Sequence, residues 1–334
     1  MSEPRATLQR VVLETTQRCN LRCIHCAVSE ENNRGAYAWE DLRIEFFYKL
    51  LPILTAHKPW VHLSGHGETL LHPNFWEMLE ATIQAGCKVR FQTNGTLLTR
   101  ERVERIVELG VDLIVVSLDA ASPELFDKIR RRASLDRILT HLGFLQEAKK
   151  RIGSERPELQ IEFVAMRQNV HELTDVIALA AKYGARLVGV TELNEYALTV
   201  GQSLKGDPVM ADWAIKAEAE AKRQGINIHY AATIPGREVQ GCTPLPDIDS
   251  NSPATYRKLR KNCREPWESI FVKHDGRVFP CCYINEAHGD LTVQTFEEMW
   301  DHPKYQTLRQ SLLSDQPRAE CANCPAYAWE PIGD

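Results

Sequence analysis

The chain has 334 residues, 43% hydrophobic and 25% charged, with a formal net charge of −5. That length holds one large domain, or one large and one small. The mild acidity and scattered Lys and Arg residues argue against a nucleic-acid binder, and no stretch approaches the roughly 20 apolar residues that a membrane span requires. The N-terminus has no apolar secretory segment, so a cytoplasmic location is expected.

In chain order, RVVLETT (10–16) reads as a buried strand and is followed at once by CNLRCIHC (19–26). An amphipathic helix over YAWEDLRIEFFYKLLPIL precedes a second strand, WVHLSG (60–65). A helix from about Pro73 to Ala85 leads to the strand KVRFQT (88–93), and Thr99 caps the next helix. VDLIVVSLD (111–119) is the most strand-like stretch, and Ser122 with Pro123 opens another helix. LQIEFVAM (159–166) and ARLVGVTE (185–192) add two strands around a helix at 171–183. Six strand–helix repeats predict a parallel sheet, either wholly or partly closed into a barrel or left as an open doubly wound sheet. In a barrel, chemistry belongs at the C-terminal ends of the strands.

Beyond about residue 226 the character changes. TPLPDIDSNSPATYRK reads as a linker, and WESIFVKHDGRVFPCCYI as a hairpin turned at Asp275-Gly276. TFEEMWDHPKYQTLRQSLL is helical with a break at Pro303, and CANC follows near the end. The expected division is a domain over 1–225 and a linker with a smaller unit over 226–334.

Ten cysteines in a reducing compartment need a purpose other than disulfides. Cys19, Cys23 and Cys26 sit on the loop after the first strand, with spacing C-x3-C-x2-C. A structural zinc site would normally close with a fourth ligand at short spacing, and His25 is badly placed to ligate beside both neighbours. Three thiolates on a four-iron cluster instead leave one iron open.

This spacing on this loop resembles the radical SAM superfamily. The resemblance implies a partial (β/α)6 TIM-like barrel in the α/β class. It also implies S-adenosylmethionine as the fourth ligand of a 4Fe-4S cluster, reductively cleaved to a 5′-deoxyadenosyl radical that abstracts a substrate hydrogen atom. His25 stands where the family places an aromatic residue near the adenine. LSGHGETLLHP (63–73) is similar to the family's GGE motif, giving Gly65, Gly67 and Glu68 as contacts of the methionine amino group. QTNGTLLT and VVSLDA match further family positions, so Asn94, Ser117 and Asp119 are expected to face the cofactor, and Arg130 to approach its carboxylate. Turn, cap or surface roles compete for Asn94, Asp119 and Arg130.

The C-terminal pattern, from Cys263 through GRVFPCC to CANC, resembles the SPASM/Twitch extensions, a small hairpin-plus-helix unit that binds iron–sulfur clusters. Cys263, Cys281, Cys321 and Cys324 would close a second, auxiliary 4Fe-4S cluster. Cys282 is read as a small buried side chain or as a hydrogen-atom donor, with Cys242 as rival donor, and Cys87 as a core residue.

Three reactions follow. The leading expectation is oxidation of a small polar substrate, with the auxiliary cluster as electron acceptor and Glu192 as base. The others are epimerisation through Cys282 or Cys242, and maturation of a ribosomal peptide. Only about ten residues precede the first strand, where many peptide-modifying relatives carry a leader-binding domain. The resemblance also implies a flavodoxin- or ferredoxin-type electron donor. A zinc-stabilised binding module is the non-enzymatic alternative.

Overall fold

The computed structural model describes residues 6–29, 37–237, 263–314, 317–322 and 324. Cys242 lies outside them. The strands are β1 (Arg10–Glu14), β2 (Arg22–Cys23), β3 (Trp60–Ser64), β4 (Lys88–Thr93), β5 (Leu113–Ser117) and β6 (Arg130–Arg131). They continue with β7 (Glu158–Ala165), β8 (Ala185–Glu192), β9 (Asn227–Ala231), β10 (Ser269–Val272), β11 (Arg277–Phe279) and β12 (Gly289–Asp290). Among the described residues, ten form one sheet in the order β12-β11-β10-β1-β3-β4-β5-β7-β8-β9. Every pairing from β10 across to β9 is parallel, and β10, β11 and β12 pair antiparallel. This parallel sheet with an antiparallel margin has the strand order expected of the partial barrel that the resemblance implies.

Two expectations change in detail. The helix Pro208–Gln224 leads into β9, a further parallel strand beyond the six anticipated. The sheet therefore runs across the boundary expected at 225. The C-terminal unit also shares that sheet, because β10 lies parallel against β1, with Arg10 opposite Ser269 and Leu13 opposite Val272. The hairpin is as read, turning at Gly276 with φ +88°, and the last long helical stretch breaks before Pro303.

Alternation along the strands decides which side is core. Leu13, Val61, Val89, Phe91, Ile114, Val116, Ile161, Phe163, Val188 and Val190 are buried in the main hydrophobic core. Their neighbours in the two-residue repeat point to the other face. There, Val12, His62, Arg90, Gln92, Ser117, Glu162 and Thr191 line a cavity. A separate apolar cluster of Trp60, Leu113 and Val115 lies nearer the N-terminal ends of β3 and β5. The barrel is thus apolar outside and polar within, a layout that serves a reaction chamber.

Candidate active site

The cavity has a volume of about 1050 Å3 and extends from the cysteine loop after β1 to the C-terminal cysteines. Cys19, Cys23 and Cys26 line it, as do Cys263, Cys281, Cys282, Cys321 and Cys324. His25, Gly65, Gly67, Glu68, Asn94, Ser117, Arg130 and Glu192 line it as well. Asp119 differs: it is completely buried behind the wall.

The cysteine loop is held at three points. β2 pairs antiparallel with β6, setting Cys23 opposite Arg130, and Ile24 N–H donates to the Ile129 carbonyl at 3.0 Å. Gly67 and Glu68 N–H groups donate to the Thr16 and Arg18 carbonyls at 2.9 and 2.8 Å. Asn94 donates through Nδ2 to Asn20 Oδ1 at 2.9 Å and lies 3.9 Å from Cys19 Sγ. Gly67 is demanded by this packing, since a Cβ there would lie 2.3 Å from the Arg18 carbonyl oxygen. Gly65 has φ +140°, and its Cβ would crowd Glu14.

Glu68 is buried, and its carboxylate already accepts from Thr93 Oγ1 at 2.7 Å, Asn94 N at 2.7 Å and Leu70 N at 3.2 Å. A carboxylate has about four acceptor sites, so one remains for an ammonium group. Asp119 ties Val164 N–H to Oδ1 at 2.8 Å, while Oδ2 lies 2.7 Å from Arg130 Nε and 3.4 Å from His25 Nε2. It reaches the site only by holding Arg130 and His25 in place. Burial pushes the His25 imidazole down to about 4, so the ring is neutral. Arg130 also lies 4.0 Å from Cys23 Sγ.

Burial raises the Cys19 thiol to about 11 and Cys23 to about 12, and lifts Cys26 in the same direction. Such thiols are neutral without metal and release protons when metal binds. Among the described residues, no group of three or more His, Cys, Asp or Glu side chains converges as for a single metal ion. An iron–sulfur cluster needs no such convergence, because each cysteine takes a different corner. The all-sulfur donor set, the backbone N–H at 3.4 Å from Cys19 Sγ and the Arg130 charge suit a cluster held by thiolates. Cys19, Cys23 and Cys26 would hold such a cluster, and with S-adenosylmethionine it would supply the radical that removes a substrate hydrogen atom.

At the other end, Cys281 and Cys321 pack with Trp267, Ile284, Leu308 and Leu312 in a small second core. Burial, with the nearby Glu265 charge, lifts the Cys263 thiol well above its ordinary value, and burial pushes Cys281 up to about 11. Cys282 is exposed and on the cavity wall, so the buried packing role expected for it does not hold. Cys87 is in the core as expected, with Sγ 3.3 Å from the Leu54 carbonyl.

Glu192 is engaged at the rim: Oε1 lies 3.1 Å from Lys205 Nζ, and Oε2 accepts from Thr233 N–H at 3.0 Å. The unforeseen ionisable groups are Glu162 with Arg90 in the barrel wall, and Glu14 between His66 and His274. Burial alone would raise Glu14, but hydrogen bonding to His274 and His66 holds it well below the usual carboxylate range. The signal for Glu162 was present in LQIEFVAM, where Gln160 and Glu162 alternate with apolar residues and so share one face.

Comparison with known proteins agrees with this geometry. The radical SAM superfamily profile matches residues 13–180, and an iron–sulfur cluster-binding (SPASM) domain profile matches 263–325. The chain is 27% identical to an AdoMet-dependent heme synthase of Methanosarcina barkeri, over 97% of this chain and 93% of the relative. It is 30% identical to a mycofactocin maturase of Mycolicibacterium smegmatis, over 93% of this chain and 74% of the relative. The crystal structure of Streptococcus suis SuiB bound to S-adenosylmethionine shares the fold, with TM-score 0.69 and 16% identity over 91% of this chain and 68% of that one. Among the described residues no helix is long and apolar enough to cross a membrane. The chain belongs to the radical SAM superfamily and is an enzyme that carries a SPASM-type iron–sulfur domain over its last quarter.

Proposed function

We propose that the enzyme oxidises a residue of a ribosomally made peptide, starting by hydrogen-atom abstraction and passing the second electron to the auxiliary cluster. The carrying observation is the 30% identity to a mycofactocin maturase over most of both chains. This replaces the small polar substrate as the leading reading. Cys19, Cys23 and Cys26 hold the first cluster, and Cys263, Cys281, Cys321 and Cys324 the second. A flavodoxin- or ferredoxin-type protein delivers the first electron.

A second reading, action on a heme precursor, is favoured by the near full-length match to a heme synthase. One anaerobic assay separates the two. The reconstituted enzyme, S-adenosylmethionine and dithionite are incubated either with synthetic peptides from short reading frames beside its gene or with a carboxylated metalloporphyrin. Peptide-dependent 5′-deoxyadenosine with a matching peptide mass loss supports the first reading. The same response to the porphyrin alone would overturn it in favour of the second.

A further inference from the structure

We propose that Glu162 is the proton acceptor in substrate oxidation, a role that rests on the oxidative reading above. It stands on β7 with its side chain in the cavity wall, directly across from Ser117 on β5 and Gly189 on β8. The glycine makes its position possible. A Cβ at Gly189 would lie 2.5 Å from Glu162 Oε2, so any larger residue there would displace the carboxylate. The bare backbone at Gly189 therefore leaves room for the carboxylate beside it on the cavity face of the sheet.

Among the described residues, the groups around it are few. Gln160 Nε2 donates to Oε2 at 3.1 Å, from the same strand. Arg90 on β4 and the buried Asp119 beyond β5 supply the nearby charges, of opposite sign. His229 on β9 is opposite Gly189 in the register. No bond to a lysine or arginine nitrogen engages Glu162 among the described ion pairs, whereas Glu192 is held by Lys205. Burial, only partly offset by Arg90, pushes the Glu162 carboxyl up to about 7. A base with that value exchanges protons near neutral pH without a large driving force either way.

The step balances as follows. Hydrogen-atom loss to the 5′-deoxyadenosyl radical leaves a carbon-centred substrate radical. An adjacent X–H bond then breaks, its proton bonds to a Glu162 oxygen, and a C=X π bond forms. The remaining electron goes to a one-electron oxidant, the oxidised auxiliary 4Fe-4S cluster, which is reduced by one electron.

The test compares wild type, Glu162→Gln and Glu162→Asp as anaerobically reconstituted enzymes. The first readout needs no substrate. A carboxyl with a raised value in the folded state loses stability as pH rises from about 4.5 to 7, and glutamine does not. The melting temperature of E162Q minus that of wild type therefore rises between pH 5 and 8; a flat difference would overturn the inference. The second readout uses the probe that passes the preceding assay, peptide or porphyrin. E162Q keeps 5′-deoxyadenosine formation, while product per 5′-deoxyadenosine falls by about 100-fold and E162D recovers part of it. An unchanged ratio in E162Q would sink the inference. If neither probe stimulates 5′-deoxyadenosine, the substrate reading alone fails, and a flat melting difference would still overturn the role of Glu162.

Discussion

Replacing Gly67 with alanine probes how the glycine loop supports the cysteine loop. The new methyl would lie 2.3 Å from the Arg18 carbonyl oxygen, 2.6 Å from that of Thr16 and 2.9 Å from Arg18 N, all backbone atoms. No flexible side chain can yield, so the two loops must separate. Overpacking of this kind costs about 1–3 kcal/mol. Separation also breaks the hydrogen bonds from Gly67 N to Thr16 and from Glu68 N to Arg18, at about 1 kcal/mol each. The loss is therefore roughly 3–5 kcal/mol. With an unfolding entropy near 2.1 cal/mol/K per residue over 334 residues, the melting temperature falls by about 4–7 °C. The assay is a circular-dichroism melt of the metal-free chain, followed by iron and sulfide analysis after anaerobic reconstitution. The variant should melt early and hold about four irons per chain instead of about eight, having lost the N-terminal cluster. A melting temperature within about 1 °C of wild type, with full iron, would refute the steric reasoning.

Other perturbations follow from the same geometry. Exchanging Cys19, Cys23 and Cys26 together for alanine should lower iron from about eight to about four per chain; a fall from four to none would mean that the C-terminal cysteines hold no iron. Arg130→Gln strips Asp119 of its buried partner and should cost about 3–5 kcal/mol in urea unfolding; a loss under about 1 kcal/mol would show that Asp119 is satisfied without it. His274→Gln tests the Glu14 bridge between β1 and the C-terminal hairpin. Glu14, held below its ordinary value of 4.5, contributes above that pH and fades as pH falls through its folded value. His274, raised above 6.5 chiefly by hydrogen bonding to Glu14, contributes below that pH and fades as pH rises through its folded value. The stability gap between wild type and H274Q should therefore peak between about pH 4.5 and 6.5; a gap that keeps growing to pH 9 would contradict the assignment.

The strands of the barrel were legible because each is a short apolar run bounded by a turn, and the cysteine loop because its spacing is rare. Pairing partners were not. Nothing local in SIFV says that it will lie against RVVLE, since parallel pairing between distant segments leaves no mark in either one. Glu192 looked suitable by its position at a strand end, but Lys205 and the Thr233 N–H come from other segments and occupy both its oxygens. Glu162 was overlooked for the converse reason. A charged residue within a strand reads as solvent-facing unless the strand is known to curve round an interior. Asp119 sits in a motif that suggested cofactor contact, and two residues' difference in depth decided otherwise: Ser117 lines the cavity, whereas Asp119 turns behind it to Arg130.

The parallel seam between β1 and β10 also bears on how the protein is made. Arg10 and Ser269 meet across a separation of 259 residues. During synthesis, β1 leaves the ribosome early, yet its outer neighbour is among the last strands to emerge. For most of translation, one edge of the first strand is unpaired and open to the wrong partner. At roughly 5–20 residues per second, that interval lasts on the order of 10 to 50 seconds. A nascent chain that loads its first cluster before β10 arrives must do so with the chamber open on one side. Emergence of β10, rather than folding of the preceding strands alone, then sets when the radical site can be sealed.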